Sequence, residues 1–131
     1  MSDEENQGTL TLRTLAMPSD TNPNGDIFGG WLLSQMDLAG VSICNNVSYG
    51  RYVTMTIDRM VFRKPVKVGD IVEIMGKITK VGNTSIEVEL MVQATTMETG
   101  KKKLVTEGNI KYVKIDNSGK PIPINSNSQI E

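Results

Sequence analysis

Hydrophobic positions change their spacing sharply near residue 50 of this chain. From Gly29 to Val47 they recur every three to four residues. On a wheel of about 100° per residue, Leu32, Leu33, Met36, Ala39, Gly40, Ile43, Cys44 and Val47 fall on one side. Ser34, Gln35, Ser42, Asn45 and Asn46 fall on the other. This is the stripe of an amphipathic helix. Beyond Tyr49-Gly50 the period becomes two. Tyr52–Phe62 is rich in β-branched residues and ends at Lys64-Pro65. Ile71–Val81 follows, then the turn Gly82-Asn83. In Thr84–Met97, Ile86, Val88, Leu90 and Val92 face one way, and Ser85, Glu87, Glu89, Met91 and Gln93 mostly face water. Glu98-Thr99-Gly100 turns the chain into a last strand, Leu104–Ile115. Before the helix, Thr9–Met17 reads as a strand and PSDTNPNG, residues 18–25, as a loop.

The predicted order is one strand, one long helix, then four strands joined largely by tight turns. Such connections imply antiparallel pairing. The fold class is α+β, one long central helix wrapped by a curved antiparallel sheet of about five strands. The 131 residues make one domain, set at residues 9–119. Residues 1–8 are expected to be disordered, and residues 120–131 to form an extended or frayed tail.

Composition narrows the chemistry. The chain has no histidine and one cysteine, Cys44. That removes Ser-His-Asp and Cys-His nucleophile systems, His/carboxylate hydro-lyases, most zinc sites and any internal disulfide. A net charge of −1 and 5% aromatic residues leave no basic or stacking surface for nucleic acid. The acidic start MSDEENQGTL is unlike a signal peptide. No apolar run reaches the roughly 18 residues of a membrane helix. A cytoplasmic protein is expected, whose chemistry rests on carboxylates, hydroxyls, Lys, Tyr and backbone amides.

Two features of the helix stand out. Gly29-Gly30 sits at its start, where the first N–H groups lack internal partners and the dipole end is positive. Glycine lets a ligand approach that backbone closely, so these amides could polarise an ester or thioester oxygen. Taken alone, the glycines read first as allowing close helix-on-sheet packing. Asp37 lies roughly 40° from Leu33 and roughly 20° from Cys44 on the wheel, inside the apolar half. By spacing alone it is as readily an edge carboxylate bonded to a neighbour as a catalyst. Asp37 also lies eight positions beyond Gly29, roughly 12 Å of axial rise. One substrate can reach both only if a second copy of the chain supplies one of them.

Other candidates have plainer readings. Asp26 and Asn24 are turn residues, and Asp26 could cap the helix. Cys44 reads as core, because nothing beside it would lower its pKa. Ser34 reads as helix surface. Arg63, Lys64, Lys67, Lys80 and Lys101-Lys102-Lys103 lie at strand ends and turns, where they could hold phosphates or simply form a solvated rim.

The stretch MPSDTNPNGDIFGGWLLSQMDLAG, residues 17–40, resembles the signature of hotdog-fold acyl-CoA thioesterases of the YciA type, relatives of the cytosolic acyl-CoA hydrolases. The similarity continues through VTMTIDRMVFRKP, Val68-Gly69-Asp70, KVGNTS and VKIDNSGKPIPI, roughly Leu10–Ile124. The resemblance implies a hotdog fold and a dimer with two interfacial sites, usually built into a hexamer. It implies Asp37 as catalytic carboxylate, either general base or nucleophile, and an active-site Asp26, with Asn24 in the same block. It implies amides near Phe28, Gly29 and Gly30 as oxyanion donors. Contacts to the coenzyme A portion are expected from Arg63, Lys64, Lys80, Gly82, Asn83, Thr84 and Ser85. The implied reaction is hydrolysis of acyl-CoA, with no metal or redox cofactor. The alternative is a non-enzymatic hotdog module that binds acyl-CoA; a hotdog dehydratase is disfavoured by the missing histidine.

Overall fold

A computed structural model of the chain describes residues 8–127. Apart from Gly8, the N-terminal segment 1–8 lies outside the described residues, as do residues 128–131 of the tail. Strand β1 (Thr9–Leu15) leads through a single 3₁₀ turn (Pro18–Asp20) into helix α1 (Gly29–Val47). Strands β2 (Arg51–Phe62), β3 (Ile71–Val81), β4 (Ser85–Thr95) and β5 (Lys102–Ile115) follow. The helix bounds coincide with those predicted. β1 ends short of Met17 because Met17 already belongs to the 3₁₀ turn, accepting a bond from the Asp20 N–H at 3.0 Å.

The strand order is β1-β3-β4-β5-β2, with antiparallel pairing throughout. β3, β4 and β5 form hairpins as expected, but β2 and β3 do not. Lys64-Pro65 ends β2, and the chain then crosses beneath the start of α1. There Val66 is buried and its carbonyl accepts the Ile27 N–H at 2.9 Å. This crossing leaves β2 as an edge strand.

α1 lies across the sheet and touches all five strands. Leu32, Met36, Ala39, Gly40, Ile43 and Cys44 are buried beneath it, while Leu33 and Val47 are half-buried. On β4, Ile86, Val88, Leu90, Val92 and Ala94 are fully buried, and the intervening residues are half-buried, as alternation requires. Gly76 on β3 leaves room for Ile43, whose Cδ1 occupies the place of a β-carbon.

The register fixes which elements meet at each end. α1 starts against Phe62, where Phe62 faces Thr106. It ends beside the Gly82–Ser85 turn and β5's Lys114. Lys114 is buried and donates to Ser48 Oγ at 2.7 Å, a cation at the negative end of the helix. The tail is extended through Asn127 and bonded to this end. Ile122 donates to the Lys114 carbonyl at 2.9 Å, and Asn127 donates to the carbonyls of Val47 and Asn45 at 3.1 and 2.9 Å. Carbonyls that a helix end leaves open are thereby satisfied.

Candidate active site

The start of α1 is bare. Phe28 occupies the N-cap position and offers no side-chain hydrogen bond. Its carbonyl accepts the N–H groups of Trp31 and Leu32 at 3.1 and 3.3 Å. The Gly29 and Gly30 N–H groups have no partner among the described residues. They are two unpaired donors at the positive end of a 19-residue helix. Phe28 corrects the expectation. Its own N–H donates to the Asp20 carbonyl at 2.8 Å, so it is spent on the loop and cannot serve as an oxyanion donor. Asp26 does not cap the helix either; that position belongs to Phe28.

A cavity of about 300 Å³ opens beside these amides, walled by Asn22, Asp26, Gly29, Leu32, Phe62 and Lys64 among others. The loop before the helix is organised by Asn22. Its Oδ1 accepts the backbone N–H groups of Asn24 and Asp26 at 2.9 and 3.1 Å. Gly25 closes the turn at φ 84°, a conformation suited to glycine. With its oxygen held on two sides, Asn22 keeps its amide nitrogen without a partner among the described residues. In the sequence Asn22 is marked only by the Asn-Pro-Asn-Gly turn signal. Asn24 contributes its backbone to this turn, and its side chain is exposed and not among the cavity walls. The Asp26 carboxylate lies on the cavity and pairs with Lys67.

Asp37 is not on this cavity. Two turns further along α1, its Oδ1 accepts the Thr54 hydroxyl at 2.6 Å. Its backbone carbonyl accepts the Tyr112 hydroxyl at 2.9 Å. The carboxylate therefore sits between the helix and the edge strand β2. Exposed apolar residues flank this pair in sequence: Leu38 beside Asp37, and Val53, Met55 and Ile57 around Thr54. Ser34 donates to the Trp31 carbonyl at 2.7 Å, a local helix-surface bond. Burial pushes the Cys44 thiol up to about 12, so it is no nucleophile near neutral pH.

The cationic candidates divide. Lys64 lines the cavity and forms no ion pair among the described residues. Arg63 also lines it and is paired with Glu107 at 2.5 Å. Lys80 and the turn Gly82, Asn83, Thr84 and Ser85 lie at the other end of the sheet, a helix length of about 28 Å away. One chain does not bring the two groups together. Among the described residues, no group of three His, Cys, Asp or Glu is placed to hold a metal ion. No helix there is long and apolar enough to cross a membrane.

One long helix packed across a five-stranded antiparallel sheet, with unpaired amides at the helix start, defines a hotdog protein. The chain belongs to the thioesterase superfamily, whose family model matches residues 24–101. It is similar to the acyl-CoA thioester hydrolase YciA of Escherichia coli, 48% identical over 118 residues that span 88% of this chain and 89% of that protein. It superposes on a hexameric broad-specificity acyl-coenzyme A thioesterase at a TM-score of 0.85 and 44% identity, covering 90% of this chain and 82% of that one. A hexameric thioesterase from Yersinia pestis gives a TM-score of 0.86 at 45% identity, covering 91% and 97%.

Proposed function

We propose that this protein hydrolyses the thioester of acyl-CoA to a free acid and coenzyme A. The carrying observation is the pair of unpartnered amides, Gly29 and Gly30, at the open start of α1 beside a cavity. Donors aimed where negative charge develops are what acyl transfer requires. The similarity to acyl-CoA thioester hydrolases supplies the substrate class.

In this reading the thioester oxygen accepts from the Gly29 and Gly30 N–H groups. Asn22 has a free amide nitrogen on the same cavity and orients the thioester or the water. Asp26, tied to Lys67, keeps the loop in shape. A carboxylate then activates the attacking water, or attacks the carbonyl to form a mixed anhydride that water cleaves. Either way the C–S bond breaks and the thiolate leaves. Thiolate is a good leaving group, which lessens the need for a general acid. The carboxylate is the partner's Asp37. On one chain Asp37 is bonded to Thr54 and stands away from the cavity. β2 is an edge strand with exposed Val53, Met55 and Ile57. A second copy paired along that edge would cover them and complete two sites at once.

Lys64 and Arg63 would hold coenzyme A phosphate at the cavity mouth. Lys80 and Gly82–Ser85 would reach only a substrate held by another copy. The chemistry needs no metal or redox cofactor, and the lone buried thiol accords with work in the cytoplasm.

The test is thiol release from a panel of acyl-CoAs by the wild type and by Asp37→Asn. Hydrolysis by the wild type and its loss in the variant supports the reading. Binding without turnover in the wild type would make the protein an acyl-CoA-binding module. Near-normal turnover in the variant would remove Asp37 from the mechanism.

A further inference from the structure

β2 changes face twice. Tyr52 and Thr54 point toward α1, bonded to Ser48 and Asp37. A register shift between Thr54 and Thr56 then brings Ile57 opposite Ile110, a fully buried residue of the helix-facing side. Strict alternation from Ile57 would turn Phe62 away from the helix. A second shift, between Asp58 and Val61, restores it, and Phe62 stands opposite the fully buried Thr106. The second bulge has visible supports. Arg59 takes the left-handed conformation at φ 54°, and Met60 lies over Gly108, where a β-carbon would overlap its side chain. Bulges of this kind re-aim side chains beside active sites.

The ring so aimed lies on the start of α1. A β-carbon on Gly29 would stand 3.3 Å from Phe62 Cε1 and 3.5 Å from Cζ. Phe62 is half exposed and forms one wall of the cavity. Gly29 and Phe62 line the same cavity, so a carbonyl held by the Gly29 amide would share that space with the ring. One wall of the space beside such a carbonyl is thus the Phe62 ring.

We propose that Phe62 determines specificity next to the thioester carbonyl: its ring limits the bulk accepted at the α-carbon of the acyl group. The inference rests on the thioesterase reading above. A pocket wall of this size discriminates one methyl group by about tenfold or more.

The experiment compares kcat/KM for isobutyryl-CoA and butyryl-CoA, isomers that differ in branching at the α-carbon, in the wild type, Phe62→Ala, Phe62→Leu and Phe62→Trp. The isobutyryl-to-butyryl ratio should rise about tenfold in Phe62→Ala, rise less in Phe62→Leu and fall about tenfold in Phe62→Trp. If Phe62→Ala does not fold, the Leu and Trp variants decide. A ratio constant within about twofold across variants that still cleave butyryl-CoA would overturn the role of Phe62 and leave the enzyme assignment standing. No hydrolysis of any acyl-CoA by the wild type would instead fell the assignment, and this inference with it.

Discussion

The Tyr112 hydroxyl reaches the backbone carbonyl of Asp37 at 2.9 Å across the core, and it fits there only because residue 40 is glycine. A β-carbon at Gly40 would overlap that hydroxyl and the ring carbons beside it. Tyr112 thus fixes the turn of α1 that carries the carboxylate. Gly40→Ala should lose about 1–3 kcal/mol of unfolding free energy through overpacking, despite the better helix propensity of alanine. Tyr112→Phe should lose about 1 kcal/mol, one net hydrogen bond. The two should couple, the double variant losing less than the sum, because removing the hydroxyl relieves part of the overlap. Urea unfolding of the four proteins measures this, and strict additivity would contradict the packing described.

Thr54 holds the carboxylate itself, at 2.6 Å. Asp37→Asn should lower kcat by about 10²–10⁴-fold with fold and assembly intact, the range expected for a catalytic proton-transfer group. Thr54→Val keeps the shape and removes the hydroxyl that orients Asp37. It should lower kcat by about tenfold, with KM little changed, because a misplaced carboxylate reacts slowly, as base or as nucleophile, without weakening substrate binding. Initial rates of thiol release, with circular dichroism on each variant, separate lost chemistry from lost fold.

The single helix and its bounds were legible because nineteen residues keep one apolar stripe, interrupted only by Asp37, from a glycine pair to a Tyr-Gly stop. β4 was legible for the parallel reason at period two. The placement of β2 at the edge was not, because alternation tells which face a residue takes and nothing of which strand lies beside it. The two bulges of β2 were hidden likewise, since a β-branched run reads as even alternation. Asp37 was visible as a charge on an apolar stripe, but Thr54 and Tyr112 are its partners only through sheet register. Asn22 is one of several turn formers in residues 18–25, and which of its atoms the turn leaves free shows only in the fold. The resemblance implies Phe28 among the donors, and neither motif nor spacing reveals that the Asp20 carbonyl takes its N–H.

The two bare amides can be tested one at a time without breaking the helix. Gly29 is the first helical residue, where proline is favoured and the missing N–H disturbs no helix bond. Phe28 before it is extended, at φ −57° and ψ 134°, the conformation a following proline demands. Gly29→Pro should fold normally and lose about 10²-fold in kcat, the effect of deleting one oxyanion donor. Gly29→Ala is the control. It keeps the N–H and only presses on the Phe62 ring, so its loss should be far smaller. Equal losses would show that crowding, not the amide, matters. Mixing Gly29→Pro with Asp37→Asn protomers also tests the shared site. If each site takes its amides from one chain and its carboxylate from the other, hybrids regain one intact site in two, and activity should return.

Alkaline stability should report the buried acids of the core. Burial raises the Cys44 thiol from an ordinary 9.0 to about 12. Burial, then the nearby Asp37 charge and the hydrogen bond to that residue, raise the Tyr112 phenol above its ordinary 10.0. Both groups keep their protons longer in the folded chain than in the unfolded one. The folded state therefore binds more protons in the alkaline range, and stability must fall as pH rises there. Well below pH 9 both states hold the thiol proton and Cys44 adds almost no slope. From about 9 toward about 12 the unfolded chain gains by ionising, and the contribution of Cys44 is progressively lost. Tyr112 steepens the decline above 10. Urea midpoints measured from pH 7.5 to 11 should be nearly level to about pH 8 as far as these groups decide them, then fall increasingly steeply. Cys44→Ala starts from a lower midpoint, since it leaves a small cavity, but should descend less steeply between pH 9 and 10. Curves for wild type and Cys44→Ala that run parallel through that interval would mean the thiol ionises as freely in the folded protein as in the unfolded chain, contrary to its burial.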